Sequence, residues 1–255
     1  MKKSCAIAYV TILESFRRKD PYVVIILGFA IVLGAGLFNY FGVKGLDKFV
    51  KDVGFTVTNV LVIVICVATA ARQLPSEIAN RTLYPLLAKP VSRTAVFLGK
   101  YLGVGIMASA VVLVFSVELL VLFAVLGISV GGVFFQAVYL RVLSVWFITA
   151  MVLCLSLVLT PGANVTVSLL LCLAMQTFAN TIVTVHSELT GVSLRATEII
   201  YWVVPHLELF DLSKKVIHGW PLVPWWVILA MTLYGATYSG VFLVLGCTRF
   251  CRIAL

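Results

Sequence analysis

Residues 96–126 read VFLGKYLGVGIMASAVVLVFSVELLVLFAVL, thirty-one residues interrupted by only two charged side chains, Lys100 near the start and Glu118 past the middle. A helix crosses the hydrocarbon of a bilayer in about 20 apolar residues, at 1.5 Å rise per residue, so this stretch alone is long enough to span a membrane. Five others of the same character flank it: Tyr22 to Val43, Val53 to Ala71, Phe134 to Thr160, Asn164 to Val185 and Pro224 to Cys247. All six are expected to be helices, because unpaired backbone cannot face lipid. The composition agrees. Of 255 residues 62% are hydrophobic and 11% charged, against about 45–50% and about 25% in soluble domains, which excludes a soluble fold. The expected fold is all-α: a polytopic membrane protein of six transmembrane helices forming one domain over residues 1–255.

The formal charge is +9, and on so apolar a chain a basic excess points to cytoplasmic membrane flanks rather than to nucleic acid. With the N-terminus inside, twelve Lys and Arg flank the spans on the cytoplasmic side: Lys2, Lys3, Arg17, Arg18, Lys19, Arg72, Arg81, Lys89, Arg93, Lys100, Arg249 and Arg252. Seven fall outside: Lys44, Lys48, Lys51, Arg141, Arg195, Lys214 and Lys215. That bias places both termini in the cytoplasm, with the chain in the inner (plasma) membrane. Trp202, Trp220, Trp225 and Trp226 cluster just before and at the start of the last span, as an aromatic belt at the outer interface would. The first span is not expected to be a cleaved signal peptide, since it is full-length and follows a polar head of 20 residues.

Three segments are neither spans nor short turns. The head, residues 1–20, has Ile7, Val10, Thr11, Leu13 and Phe16 near helical spacing and is expected to lie along the inner leaflet. Residues 186–223 contain an apolar patch, Ile199 to Val204, too short to cross, and read as a re-entrant or interfacial outer segment. The third is the cytoplasmic loop, residues 72–95. Within it Pro75 and Ser76 are expected to open a helix with Glu77 in its first turn, where a carboxylate suits the positive end of the helix dipole. Ile78, Thr82, Leu83, Leu86 and Leu87 make an apolar stripe, and Pro85 and Pro90 break the helix into short pieces. Arg81, Lys89 and Arg93 would then be free to meet a partner or lipid phosphates.

This loop resembles the first cytoplasmic loop of permease subunits of type-2 ABC (ATP-binding cassette) exporters, the ABC-2 family. The resemblance rests on Glu77, Arg81-Thr82-Leu83, Leu86-Leu87, Pro90-Val91-Ser92-Arg93 and Leu98-Gly99-Lys100, in that order. It implies that Glu77 to Arg93 is a coupling helix docking on a separate cytoplasmic ATPase subunit, with Glu77, Arg81, Thr82, Leu83, Pro85, Leu86, Lys89, Pro90 and Arg93 as coupling residues. It implies as well a second permease copy, identical or not, and an outer gate at Pro205 and Phe210. The bland alternative is an interfacial helix anchoring the loop to lipid headgroups. No G-x-x-x-x-G-K-[ST] occurs, so the chain is expected to bind no cofactor itself and ATP and Mg belong to the partner.

Glu118 is an intramembrane carboxylate and hence a candidate functional residue. The turn between the third and fourth spans lies at Gly127 to Gly132, so Glu118 and Arg141 stand at the same height on antiparallel neighbours. They are expected to pair and steady the hairpin; the alternatives are a polar feature of a translocation path and a Glu118 that faces lipid, snorkels or is neutral. Gly99, Gly103, Gly105 and Ser109 give the third span a small-residue face for close helix packing or a dimer seam. His186, His206 and His218 lie 20 and 12 residues apart without a tight ligand pair, so no metal is expected. The six cysteines read as packing residues, although Cys247 and Cys251 stand one helical turn apart near the inner end of the last span. The function expected is a transport subunit, not an enzyme, driving export or outward flipping of a substrate. Two alternatives stand beside it: a permease transmitting motion to an extracytoplasmic partner without transport, and a non-transporting membrane scaffold.

Overall fold

The computed structural model describes residues 2–17, 20–37, 46–79, 92–185 and 204–252. Among them the regular structure is entirely helical: α1 Lys2–Arg17, α2 Asp20–Leu37, α3 Leu46–Ala79, α4 Arg93–Val125, α5 Val133–Leu155, α6 Pro161–Val185, a 3₁₀ turn at Leu207–Phe210, α7 Ser213–His218 and α8 Trp225–Arg252. Four of these helices are long and apolar enough to cross a membrane: Asp47–Ile78, Arg93–Val125, Val133–Leu155 and Trp225–Arg252. Helices α2 and α6 fall on the first and fifth of the apolar stretches, and α1 falls on the head.

α4 is the central helix, packed against α1, α2, α3, α5 and α8. It begins where Ser92 adopts an extended backbone and its hydroxyl accepts from the Ala95 N–H, closing one of the free donors of the first turn. It ends in a left-handed glycine, Gly127 at φ 68°, with Ile128 N–H donating to Phe123 O at 2.8 Å and Gly127 N–H to Ala124 O at 3.3 Å. That double closure satisfies the last carbonyls and turns the chain into α5. The stripe Leu113, Val117, Val121 and Val125 on α4 stays exposed at helical spacing, as a lipid-facing surface does.

The end of the bundle with the last turn of α3 and the first turn of α4 is proximal, and the end with the 126–132 turn is distal. α1 lies on the proximal half of α4 because glycine admits it: a Cβ at Gly99 would meet Ile7 Cβ at 2.8 Å, and one at Gly103 would meet Thr11 Cβ at 2.6 Å. Gly105 instead receives the Trp146 ring of α5. The small-residue face of the third span is thus filled within the chain. At the distal end the chain from Val204 to Pro224 folds over α3 and α5, and Gln136 of α5 holds it by both backbone groups of Val223, accepting from its N–H at 2.9 Å and donating to its O at 3.0 Å.

One local expectation is corrected. Pro75 and Ser76 do not open a new helix: α3 runs unbroken through Pro75 to Ala79, which puts Glu77 in its last turn. Proline lacks only one donor, and Gln73 and Leu74 are buried beside it, so packing outweighs the missing hydrogen bond.

Candidate functional site

At the proximal end, polar side chains join the roots of the 80–91 connection to one another and to the rest of the bundle. The Lys100 ammonium of α4, 3% exposed, is paired with the Glu77 carboxylate of α3, which is 20% exposed. Just above, Gln73 Nε2 donates to Glu14 Oε2 of α1 at 3.2 Å, so α1 is tied to α3 as well as packed on α4. Arg93, in the first turn of α4, donates through Nη1 to Cys251 O at 3.3 Å and to Phe250 O at 3.5 Å. These are free carbonyls at the end of α8, where a cation is doubly favoured by hydrogen bonding and by the helix dipole. Phe97 lies on Gly246 one turn deeper and faces the Phe250 ring with centroids 6.2 Å apart.

Two sequence expectations therefore change meaning. Glu77 and Arg93 are engaged by their own chain, Glu77 by Lys100 and Arg93 through Nη1 by the α8 carbonyls. Arg81, Thr82, Leu83, Pro85, Leu86, Lys89 and Pro90, the remaining coupling residues, lie outside the described residues.

The second polar constellation is distal. Arg141 of α5 is 8% exposed, and its Nη2 stands 3.7 Å from Asp211 Oδ2. Asn59 of α3 donates from Nδ2 to the same oxygen at 3.3 Å and to Ser213 Oγ at 3.2 Å. The other oxygen, Asp211 Oδ1, accepts from the Ser213 N–H at 2.9 Å and from its hydroxyl. These groups line a cavity of about 20 Å³ together with Thr58, Ser116, Phe55, Leu119, Phe134 and Phe210, room for about one water molecule. The hydroxyl of Thr58 is buried there and has no hydrogen-bond partner among the described residues.

The expected Glu118–Arg141 pair is not formed. Glu118 Oε2 is buried without a hydrogen-bond partner among the described residues, and Arg141 faces Asp211 instead. The mirrored spacing about the turn sets the height of the two residues but not their rotation. On α4 the positions looking toward the cavity are Val112, Ser116 and Leu119, and at 100° per residue Glu118 points well away from them. It sits between buried Phe115 and Leu122 and exposed Val114 and Val121, on the edge of the lipid-facing stripe.

The two gate candidates lie over the same region. Pro205 is buried, and Phe210, 2% exposed, packs against Gly235 and Tyr234 of α8. Tyr234 Oη accepts the His206 N–H at 2.9 Å, and His218 stacks on Trp220 with centroids 5.8 Å apart; His186 lies outside the described residues. Trp220, Trp225 and Trp226 are exposed beside them. What sequence reasoning missed was Asp211, Asn59 and Thr58. Asn59 and Thr58 sit inside an apolar span, and polar residues at that depth are the signal that could have found them.

No curated protein matches the chain. A model of the ABC-2 family, described as ABC-2 family transporter protein, matches residues 16–185, two thirds of the length and all of α2 to α6. It is a membrane-embedded, multi-pass transport subunit without catalysis of its own, of a kind that works with an ABC ATPase subunit, and the chain belongs to the ABC-2 family of transporter proteins.

Proposed function

We propose that the chain is the permease subunit of an ATP-binding-cassette exporter, dimerising and coupling ATP hydrolysis in a separate cytoplasmic subunit to export or outward flipping of a substrate. The observation that carries the reading is the Glu77–Lys100 ion pair. It joins α3 to α4 at the root of the 80–91 connection, so a push on that connection moves two spans as one body instead of dissipating in a loose loop. Arg93 carries the same push to α8. In this reading Arg81, Thr82, Leu83, Pro85, Leu86, Lys89 and Pro90 meet the ATPase, while Glu77 and Arg93 position the loop. ATP and Mg sit in the partner.

α2 and α6 complete six spans, with both termini cytoplasmic in the inner membrane and residues 186–223 outside. The polar cavity inside the bundle holds little more than a water, so the transport path belongs between this chain and a second copy, with the 204–223 segment as its outer cover and Pro205 and Phe210 at the gate.

The test is purification of the tagged chain from its own membrane in mild detergent, with an ATPase assay. A nucleotide-binding subunit is expected to accompany the wild type and the Lys214→Glu/Lys215→Glu control, and to be lost from Arg81→Glu/Lys89→Glu. A partner retained by the Arg81→Glu/Lys89→Glu chain refutes the docking assignment. A wild type that purifies without ATPase activity transfers the assignment to a membrane scaffold.

A further inference from the structure

The distal cavity has an unusual balance of hydrogen-bonding groups. The bundle contributes donors: the Arg141 guanidinium, 8% exposed, the Asn59 amide and the Thr58 hydroxyl, 6% exposed and without a partner among the described residues. The carboxylate they face comes from the outer segment. Asp211 also holds two bonds to Ser213, its neighbour two residues on. Those local bonds travel with the segment if it lifts, whereas Arg141 and Asn59 stay behind on α5 and α3. Lifting would therefore leave a guanidinium in an apolar surrounding with no counter-charge, a state costly enough that another anion must replace Asp211.

We infer that Arg141, Asn59 and Thr58 form an anion-binding site inside the bundle, filled by Asp211 when the outer segment is down and by a carboxylate or phosphate of the substrate when it is up. Phe55, Leu119 and Phe134, which line the cavity from α3, α4 and α5 and stay behind with the donors, suit a ligand whose anionic group is joined to an apolar body. Asp211 is then both the latch of the cover and the stand-in for the substrate's charge. This assignment rests on the reading of residues 204–223 as the cover of a transport path, and it names the class of substrate for that path.

The site can be measured on the purified full-length chain alone, without ATP or partner, so its failure leaves the ATPase assignment standing and the reverse holds as well. The chain with Asp211→Ala is expected to melt at a lower temperature than wild type because Arg141 has lost its counter-charge. Acetate should restore the midpoint saturably, and chloride at the same ionic strength should not. Decanoate should act at a concentration lower by about tenfold or more, since its methylenes bury apolar surface, while decanol should fail. A large advantage for decanoate supports an anionic amphiphile as the substrate class, and equal potency of acetate and decanoate overturns that class. The Arg141→Gln/Asp211→Ala chain should show no anion effect. Where Asp211→Ala does not fold, Asp211→Asn keeps the shape and serves the same titration. Recovery that chloride or decanol matches, or that persists without Arg141, overturns the proposal.

Discussion

Lys100 is the residue whose chemistry is most at odds with its position: a side chain 3% exposed on a helix otherwise suited to lipid. An ammonium there is tolerable because Glu77 neutralises it. Removing one member of such a pair strands the other charge, whereas removing both is often close to neutral. Lys100→Met is therefore expected to lower stability by about 3 kcal/mol, the low end of the range for buried pairs because Glu77 is partly exposed. Glu77→Met/Lys100→Met should recover most of that loss in the same denaturation experiment. A double variant as unstable as the single one would mean that the pair is not what holds α3 to α4.

At the scale of elements, the bundle depends on which glycines are covered. A Cβ at Gly103 would meet Thr11 and come within 3.0 Å of Ala8 O, whereas one at Gly240 on α8 would meet nothing within 4 Å. Gly103→Val should push α1 off α4 at a cost of about 1–3 kcal/mol and expose Arg17 to faster tryptic cleavage. Gly240→Ala should instead be neutral or stabilising by up to about 1 kcal/mol through helix propensity. Equal protection of Arg17 in both variants would show that α1 does not need the glycine face. The docking also explains why α1 keeps Tyr9, Val10 and Leu13 exposed. One face of this helix is committed to Gly99 and Gly103, and the opposite apolar face is left exposed.

At the scale of the whole molecule, the two polar constellations sit at opposite ends of the same helices. α3 carries Glu77 near its last residue and Asn59 nearer its first, and α4 carries Lys100 in its early turns while Leu119 borders the distal cavity. In the proposed coupling, displacement of the proximal ends would be transmitted through these helices to the place where Asp211 is held. The topology this requires is open to direct measurement. Cys5 and Cys251 are exposed and should resist a membrane-impermeant maleimide in intact cells, whereas a cysteine introduced by Trp220→Cys should react. Labelling of Cys5 or Cys251 from outside would invert the molecule and with it the direction of coupling.

Hydropathy and spacing were enough for the helical class, for the location of the apolar stretches and for the family-like loop, because each depends on side chains acting one by one against lipid or on a local motif. Gly99 and Gly103 were legible as a packing face for the same reason. The rotation of each helix about its axis was not legible, since it depends on every neighbour at once. That is why Glu118, level with Arg141 along the hairpin, points elsewhere, and why Arg141 takes Asp211 from a segment 70 residues further along the chain. Pro75 likewise reads as a helix start when its own residue alone is weighed, but packing of Gln73 and Leu74 carries α3 through it. Arg93 reads as a free surface cation until folding brings the end of α8 beside it. Partners separated by many residues were decided only by the tertiary structure, because burial lets the fold choose which charge compensates which.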